Sequence, residues 1–178
     1  GHDFLALIDP LRYRPDGLDA AQLKDIRRLK ARMESERLPR GADPKTHYKL
    51  GPGGLSDVEW TVQLQQLQHA HALPSLRVTA TLEALRAQAT AGLVAEPDAE
   101  VLAQAWELVS RLRNASMLWR GRATESLPAD VRDNEGIARI LGREAGSGSL
   151  LEQDHLRATR RARALTERLF YGQDDTRP

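Results

Sequence analysis

The 178-residue sequence has no cysteine, few aromatic residues and no long apolar run. Without cysteine the chain forms neither disulfide bonds nor thiolate metal sites, which suits a cytoplasmic protein. Aromatic residues make up 4% of the chain and hydrophobic residues 40%, so we expect a core built on aliphatic packing. No apolar run approaches the roughly 20 residues that span a bilayer. The sequence therefore predicts no contact with the membrane interior.

An excess of charge of either sign is also missing. The 26 basic and 25 acidic residues leave a net charge of +1. Such a balance gives no support for binding to nucleic acid or to a membrane surface. The chain starts with Gly1 and His2 instead of Met, which is typical of a cloning remnant on a fragment. We therefore expect a fragment that need not contain the chemistry of its parent.

Helical periodicity runs through the chain, and no alternating stretch is long enough for a strand. The predicted helices cover residues 19–38, 56–72, 79–90, 97–119, 134–141 and 149–171. This pattern predicts an all-α fold, a bundle of about five to seven helices without a sheet. We assign residues 1–18 to a linker from a missing upstream domain, 19–172 to the helical bundle and 173–178 to a disordered tail.

Local signals mark the helix starts and the buried faces. Capping boxes are predicted at Asp19 with Gln22, Ser56 with Glu59, and Ser149 with Glu152. The first helix has apolar residues at helical spacing, and they are predicted to be buried: Leu23, Ile26, Leu29 and Met33. The apolar residues of the second helix fall on two sides of the helical wheel, so we expect that helix to be surrounded by others.

The most informative stretch, residues 49–63, joins a glycine-rich loop to the second helix; we call it the glycine corner. Its sequence is Lys-Leu-Gly-Pro-Gly-Gly-Leu-Ser-Asp-Val-Glu-Trp-Thr-Val-Gln. In one interpretation, the backbone N–H groups of Gly53 and Gly54 and the helix N-terminus bind a phosphate, with Lys49 adding charge. In the other, the glycines only permit a tight turn and Lys49 is solvated. The residues alone favour the second interpretation slightly, because Ser56 and Glu59 would already use some of the free donors.

The glycine corner, with the segment His69-Ala70-His71 that follows it, resembles the helical domain of glutamine synthetase adenylyltransferases. These bifunctional enzymes add an adenylyl group to bacterial glutamine synthetase and remove it. Further resembling stretches lie at residues 26–34, 73–77 and 112–113. The resemblance covers about the first two thirds of the chain. The family carries this domain twice, and the sequence resembles the second, C-terminal copy more closely. Pro52 between the glycines is the chief departure from the family pattern.

The resemblance implies a parent nucleotidyltransferase that uses ATP and Mg²⁺ to adenylylate glutamine synthetase, under control of glutamine and a PII-type signalling protein. Its upstream nucleotidyltransferase domain would be a further partner. The implied role of this domain is to line the nucleotide side of the catalytic cleft. The residues that would do so are Lys49, Gly53, Gly54, Asp57, Glu59 and Gln63. Nucleotidyl transfer by the related enzymes uses an Asp-x-Asp pair to hold Mg²⁺, and no such pair occurs in the sequence, so we expect no catalytic residue in this fragment.

Other candidate groups have simpler interpretations. Asp57 and Glu59 point about 160° apart on a helix, so a shared acid–base function is not expected. His69 and His71 are two residues apart and do not converge on one ion, so no metal site is expected. The arginines of the last helix form either a solvated face or a docking surface for an acidic protein. The alternative function is therefore a non-catalytic regulatory module that binds a PII-type protein or glutamine.

Overall fold

The computed structural model describes residues 2–173, except for the side chains at positions 2, 3 and 6. Its helices are α1 (His2–Arg12), α2 (Ala20–Glu36), α3 (Leu55–His69), α4 (Thr81–Thr90), α5 (Glu96–Arg120), α6 (Val131–Ile140) and α7 (Gly148–Leu169), with a 3₁₀ turn at Pro74–Leu76. Over 2–173 there is no strand, only an isolated bridge between His47 and Ser126. The predicted all-α bundle without a sheet is confirmed. Residues 174–178 of the predicted tail lie outside the described residues.

The two larger apolar clusters of the core share α5 and α7. One cluster joins the loop residue Tyr48 to Leu112, Ile137 and Leu151, and so connects α5, α6 and α7. The other joins Val58 and Val62 of α3 to residues of α4, α5 and α7. Helix α3 buries side chains on several sides, as its apolar pattern predicted. Within 2–173 no helix is both long and apolar enough to cross a membrane.

Helices α1 and α2 lie outside these two clusters, and we call residues 2–36 the arm. The predicted buried face of α2 is wrong in part, because Leu29 is 43% exposed and Lys30 is the one fully buried residue of that helix. Lys30 is at the centre of the face that contacts the bundle, and Leu29 is about 100° away from it. The helix is therefore rotated towards its charged contacts.

Residues 2–12 form a helix within the segment that was assigned to a linker, and no helix was predicted there. Pro10 lies inside this helix, and the backbone continues past it through a hydrogen bond from Tyr13 N to Asp9 O of 2.8 Å. Tyr13 is buried against Ala70 and Leu76, which fixes the end of α1 to the bundle.

One of the three predicted capping boxes is confirmed. The Asp19 side chain accepts from Gln22 N at 2.8 Å, and the Gln22 side chain accepts from Asp19 N at 3.1 Å. The boxes at Ser56 and Ser149 are wrong, because α3 begins at Leu55 and α7 at Gly148, and neither has a side-chain cap from its own N-cap residue. In both places, groups outside the helix accept the N–H groups that the helix start leaves without helical partners.

At α7, that distant group is Glu135 of α6. Its carboxylate accepts from Gly146 N at 2.8 Å and from Gly148 N at 3.1 Å. These two hydrogen bonds lower the pKa of Glu135. Helix α6 itself begins three residues before the predicted start, because Asp130 caps it through Arg132 N and Asp133 N.

Candidate functional site at the glycine corner

The loop of the glycine corner folds back on the first turn of α3. Leu55 N donates to Tyr48 O at 2.9 Å, and Ser56 N donates to Lys49 O at 3.1 Å. Gly54 N donates to Gly51 O at 2.9 Å. These hydrogen bonds use the N–H groups that a helix start leaves without helical partners. In this conformation they are not available to a phosphate.

The glycines let the loop lie directly on the backbone of α7. Gly53 has φ +72°, and a Cβ atom there would overlap the carbonyl oxygen of Thr159 and lie 2.6 Å from its carbonyl carbon. A Cβ at Gly54 would lie 2.6 Å from Tyr48 O. Both positions require glycine, one for its backbone conformation and both for close approach. This geometry agrees with the tight-turn interpretation of the sequence.

Asp57 holds the corner together from inside. Its side chain is buried and accepts from Gly53 N at 2.7 Å. One carboxylate oxygen also pairs with Lys30 of α2, and the other accepts from Arg163 of α7 at 3.1 Å. Buried charges require such partners. Asp57 thus connects the loop, the arm and the last helix of the bundle.

The contacts of Asp57 extend into a larger network, which we call the ion cluster; it comprises Lys30, Glu34, Asp57, Arg163, Glu167 and Tyr171. Glu34 pairs with Lys30 and accepts from Arg163 at 3.1 Å and from Tyr171 Oη at 3.1 Å. Arg163 Nε also donates to Glu167 at 3.0 Å. The cations and carboxylates of the cluster therefore satisfy one another.

Electrostatics within the ion cluster favour its charged form. Burial alone would raise the pKa of Glu34, but the hydrogen bond and the charge of Lys30, with those of Arg163, lower it below its usual value. Burial likewise opposes the charge of Arg163, yet the Asp57 carboxylate raises its pKa. Burial and the neighbouring Glu34 carboxylate raise the pKa of Tyr171, which therefore stays a neutral donor.

The six predicted site residues divide into a buried and an accessible set. Gly53, Gly54 and Asp57 are buried and bonded within the chain, whereas Lys49 and Gln63 are exposed and Glu59 is partly exposed. Asp57 is buried and Glu59 is partly exposed, and the two lie about 160° apart on α3. The hydrogen bond from Ser56 N to Lys49 O holds the Lys49 backbone beside the α3 face that carries Glu59 and Gln63.

Sequence reasoning missed the roles of Lys30 and Glu34 and treated Arg163 only as part of a basic run. The available signal was Asp57, an acidic residue beside Val58 with no basic residue three or four positions away. Other arginines of α7 are divided as well. Arg157 pairs with Asp154 at 3.1 Å and Arg168 pairs with Asp98 at 2.5 Å, while Arg160 and Arg161 are exposed.

Two of the histidines, His47 and His155, make hydrogen bonds within the fold. Nδ1 of His47 accepts from Lys49 N at 3.3 Å and from Leu50 N at 3.1 Å, and burial lowers the pKa of His47. Nε2 of the buried His155 contacts Lys45 O at 3.2 Å. Across the described part of the chain, no three histidine, aspartate or glutamate residues are placed to share a metal ion.

A family model described as GlnD PII-uridylyltransferase matches residues 27–170, a range that includes the whole glycine corner. The chain belongs to this family. Its resemblance to glutamine synthetase adenylyltransferases is also confirmed, since enzymes of that name match 96% of the chain and not only its first two thirds.

Among similar proteins of known name, the bifunctional glutamine synthetase adenylyltransferase/adenylyl-removing enzyme of Streptomyces coelicolor is 54% identical over 171 residues. The enzyme of the same name from Mycobacterium leprae is 51% identical over 170 residues. Each match covers 96% of this chain and 17% of the relative. The chain therefore spans only a small part of the length of these relatives.

Proposed function

We propose that this chain is the helical domain of a longer cytoplasmic enzyme that adenylylates glutamine synthetase with ATP and Mg²⁺ and also removes the adenylyl group. The observation that carries the proposal is the 54% identity to an enzyme of that name over 96% of the chain. Within such an enzyme the upstream nucleotidyltransferase domain would supply the catalytic residues, because this sequence has no Asp-x-Asp pair.

The share of this domain would be to form one wall of the nucleotide cleft. The exposed ammonium group of Lys49 suits a nucleotide phosphate, and the α3 face with Glu59 and Gln63 lies beside it. Gly53, Gly54 and Asp57 would act indirectly, by holding the loop that presents Lys49. In this proposal the side chain of Lys49, and not the backbone of the corner, contacts the nucleotide.

The described residues do not fit a Mg²⁺ site at this corner. Mg²⁺ takes carboxylate and water oxygens in octahedral geometry, and the carboxylates of Asp57 and Glu34 already pair with Lys30 and Arg163. The metal would therefore be held by another part of the enzyme.

A second candidate role is regulation, by a small effector such as glutamine or by a PII-type protein. A cavity between α4 and α5 favours the small effector. The cavity has a volume of about 460 Å³ and a floor of leucine and alanine side chains. Arg86 lies on one helix at its rim, and Glu96 and Glu100 lie on the other. A pocket of this size suits a small molecule, and these opposite charges would suit a zwitterion.

The first role is tested in the full-length enzyme by Lys49→Ala, with Lys45→Ala as the control on an exposed lysine of the same loop. We expect Lys49→Ala to raise KM for ATP about tenfold, or about 1.4 kcal/mol of lost binding, and Lys45→Ala to leave it unchanged. Glu59→Gln should also change KM if α3 lines the cleft. Unchanged transfer of AMP to glutamine synthetase in both Lys49→Ala and Glu59→Gln would remove the corner from the mechanism.

An amide NMR titration of the 178-residue chain separates the two roles. Shifts at the start of α3 on adding Mg-ATP would support the cleft wall. Shifts at Arg86 and Glu100 on adding glutamine would support the effector cavity instead.

A further inference from the structure

Helix α1 presents an apolar face to solvent. Phe4 is 63% exposed, Leu7 73% and Leu11 80%. The three positions fall within about 60° of one another on a helix. A row of this kind normally faces a core, and a continuous exposed apolar face marks an interaction site.

The exposed row continues into a groove where the arm meets the bundle. The groove has a volume of about 380 Å³ and is lined by Leu11, Leu18, Ile26 and Leu67, among others. Its apolar lining therefore comes from α1, the following turn, α2 and α3. The row and the groove together form one surface, which we call the arm surface.

The base of α1 is anchored, so the arm surface is held in a defined position. Tyr13 is buried, and the guanidinium carbons of Arg12 and Arg77 lie 4.9 and 5.4 Å from the centre of its ring. Arg12 also pairs with Asp9 at 3.6 Å. With these charges engaged locally, the chemistry that the row offers to a partner is apolar.

We propose that the arm surface is a docking site for another domain of the same polypeptide, which covers Phe4, Leu7 and Leu11 with an apolar patch of its own. The inference rests on one part of the proposed function, namely that this chain belongs to a longer polypeptide. In the Streptomyces coelicolor relative the matched region is 17% of the length, so most of that polypeptide lies outside it. A tethered domain is present at a high effective concentration, of the order of mM for short linkers.

Tethering favours this occupant over a second copy of the chain. A stable interface between separate molecules buries about 800 Å² on each partner. The arm surface, a single helix of three turns with one groove, is small for that purpose. A small apolar contact is sufficient between domains that are already linked.

The test compares hydrogen–deuterium exchange of α1 in the full-length enzyme and in the 178-residue chain. We expect the α1 amides to exchange at least tenfold more slowly in the full-length enzyme. The double variant Leu7→Arg/Leu11→Arg should abolish this protection, since arginine keeps helix propensity while it removes the apolar face. Leu118→Arg is the matched control, because Leu118 is 73% exposed, as Leu7 is; it should leave the protection intact.

Equal exchange of α1 in the two proteins, or protection that survives the double variant, would overturn the inference. So would a dimer of the 178-residue chain that protects α1 in a concentration-dependent way, because the occupant would then be a second copy. AMP transfer measured on the same enzyme separates the two proposals. Protection without transfer leaves the docking site and removes the proposed function, whereas transfer without protection does the reverse.

Discussion

The glycine corner and the arm contact the same bundle in different ways. At the corner, backbone lies on backbone, and Gly53 leaves no room for a single methyl group beside Thr159. In the arm, the one fully buried residue of α2 is the charged Lys30, and large apolar side chains such as Leu29 remain exposed. Asp57 connects the two regions, since it accepts from Gly53 N in the corner and pairs with Lys30 of the arm.

The difference separates two sources of stability. Close backbone packing is independent of pH and salt but does not accept a larger residue. Attachment through an ion cluster leaves room for a change of side-chain volume. It depends, however, on the protonation of its members and on the presence of each charged partner. We therefore expect the corner to fail when volume is added and the arm to fail when charge is removed.

The largest effect should come from Gly53→Ala, with Gly92→Ala as its control. Both glycines have φ +72°, but a Cβ at Gly92 meets nothing within 4 Å. Gly92→Ala should cost only the left-handed conformation, about 1–2 kcal/mol. Gly53→Ala adds the overlap with Thr159 and should cost about 4 kcal/mol or more. Urea denaturation of the two variants measures the difference, and similar losses of unfolding free energy would contradict the close packing of the corner.

The next effect should come from Lys30→Met, with Lys24→Met as the control on an exposed position of the same helix. Removal of one partner from a buried ion pair leaves the other charge uncompensated. Because Arg163 still contacts Asp57, we expect a loss near the lower end of the usual range, about 3 kcal/mol. Lys24→Met should change the free energy of unfolding by less than about 0.5 kcal/mol. If both variants are equally stable, the ion cluster does not hold the arm.

A smaller effect is expected of pH, through Glu34. Its pKa in the folded state is below the usual 4.5, so the unfolded chain binds its proton first as the pH falls. The stabilisation from Glu34 is therefore complete above pH 4.5 and is lost as the pH falls below it, through the lowered folded-state pKa. Glu34→Gln should flatten the dependence of unfolding free energy on pH as the pH falls below 4.5.

Glu36→Gln, an exposed change on the same helix, is the control for the Glu34 variant and should keep the full slope. The pKa values of Asp133 and Glu135 are also lowered, and their contribution should remain in both variants. A slope that is identical in Glu34→Gln and in the unchanged chain would show that Glu34 does not link the arm to protonation.

Local sequence signals predicted those features that depend on neighbours in the chain. The Asp19 cap with Gln22 is confirmed because both partners lie within one turn. Pro97 lies in the first turn of α5, and Gly92, with φ +72°, follows the end of α4, since each position suits the backbone preference of its residue. The prediction that α3 buries apolar residues on more than one side is confirmed, because the helical wheel depends only on the spacing of residues along the chain.

Signals that depend on distant partners were misassigned. Ser56 has the sequence of a cap, but α3 begins one residue earlier, at Leu55. Lys49 O accepts the Ser56 N–H, which Glu59 would accept in a capping box. Ser149 likewise does not cap α7. Glu135 of α6 accepts from Gly148 N at the start of that helix instead. Lys30 resembles an ordinary surface lysine until α3 and α7 place Asp57 and Arg163 beside it.

The sequence by itself determined the helical class, the glycine corner and the family, because periodicity, local backbone freedom and a long specific motif are all written along the chain. The tertiary structure alone decided which polar groups at that corner are used inside the protein and which face solvent. Hydrogen-bond donors and charges are satisfied by whatever group is nearest in space. For Gly53, Asp57 and Lys30 that group belongs to another element, while Lys49 stays exposed.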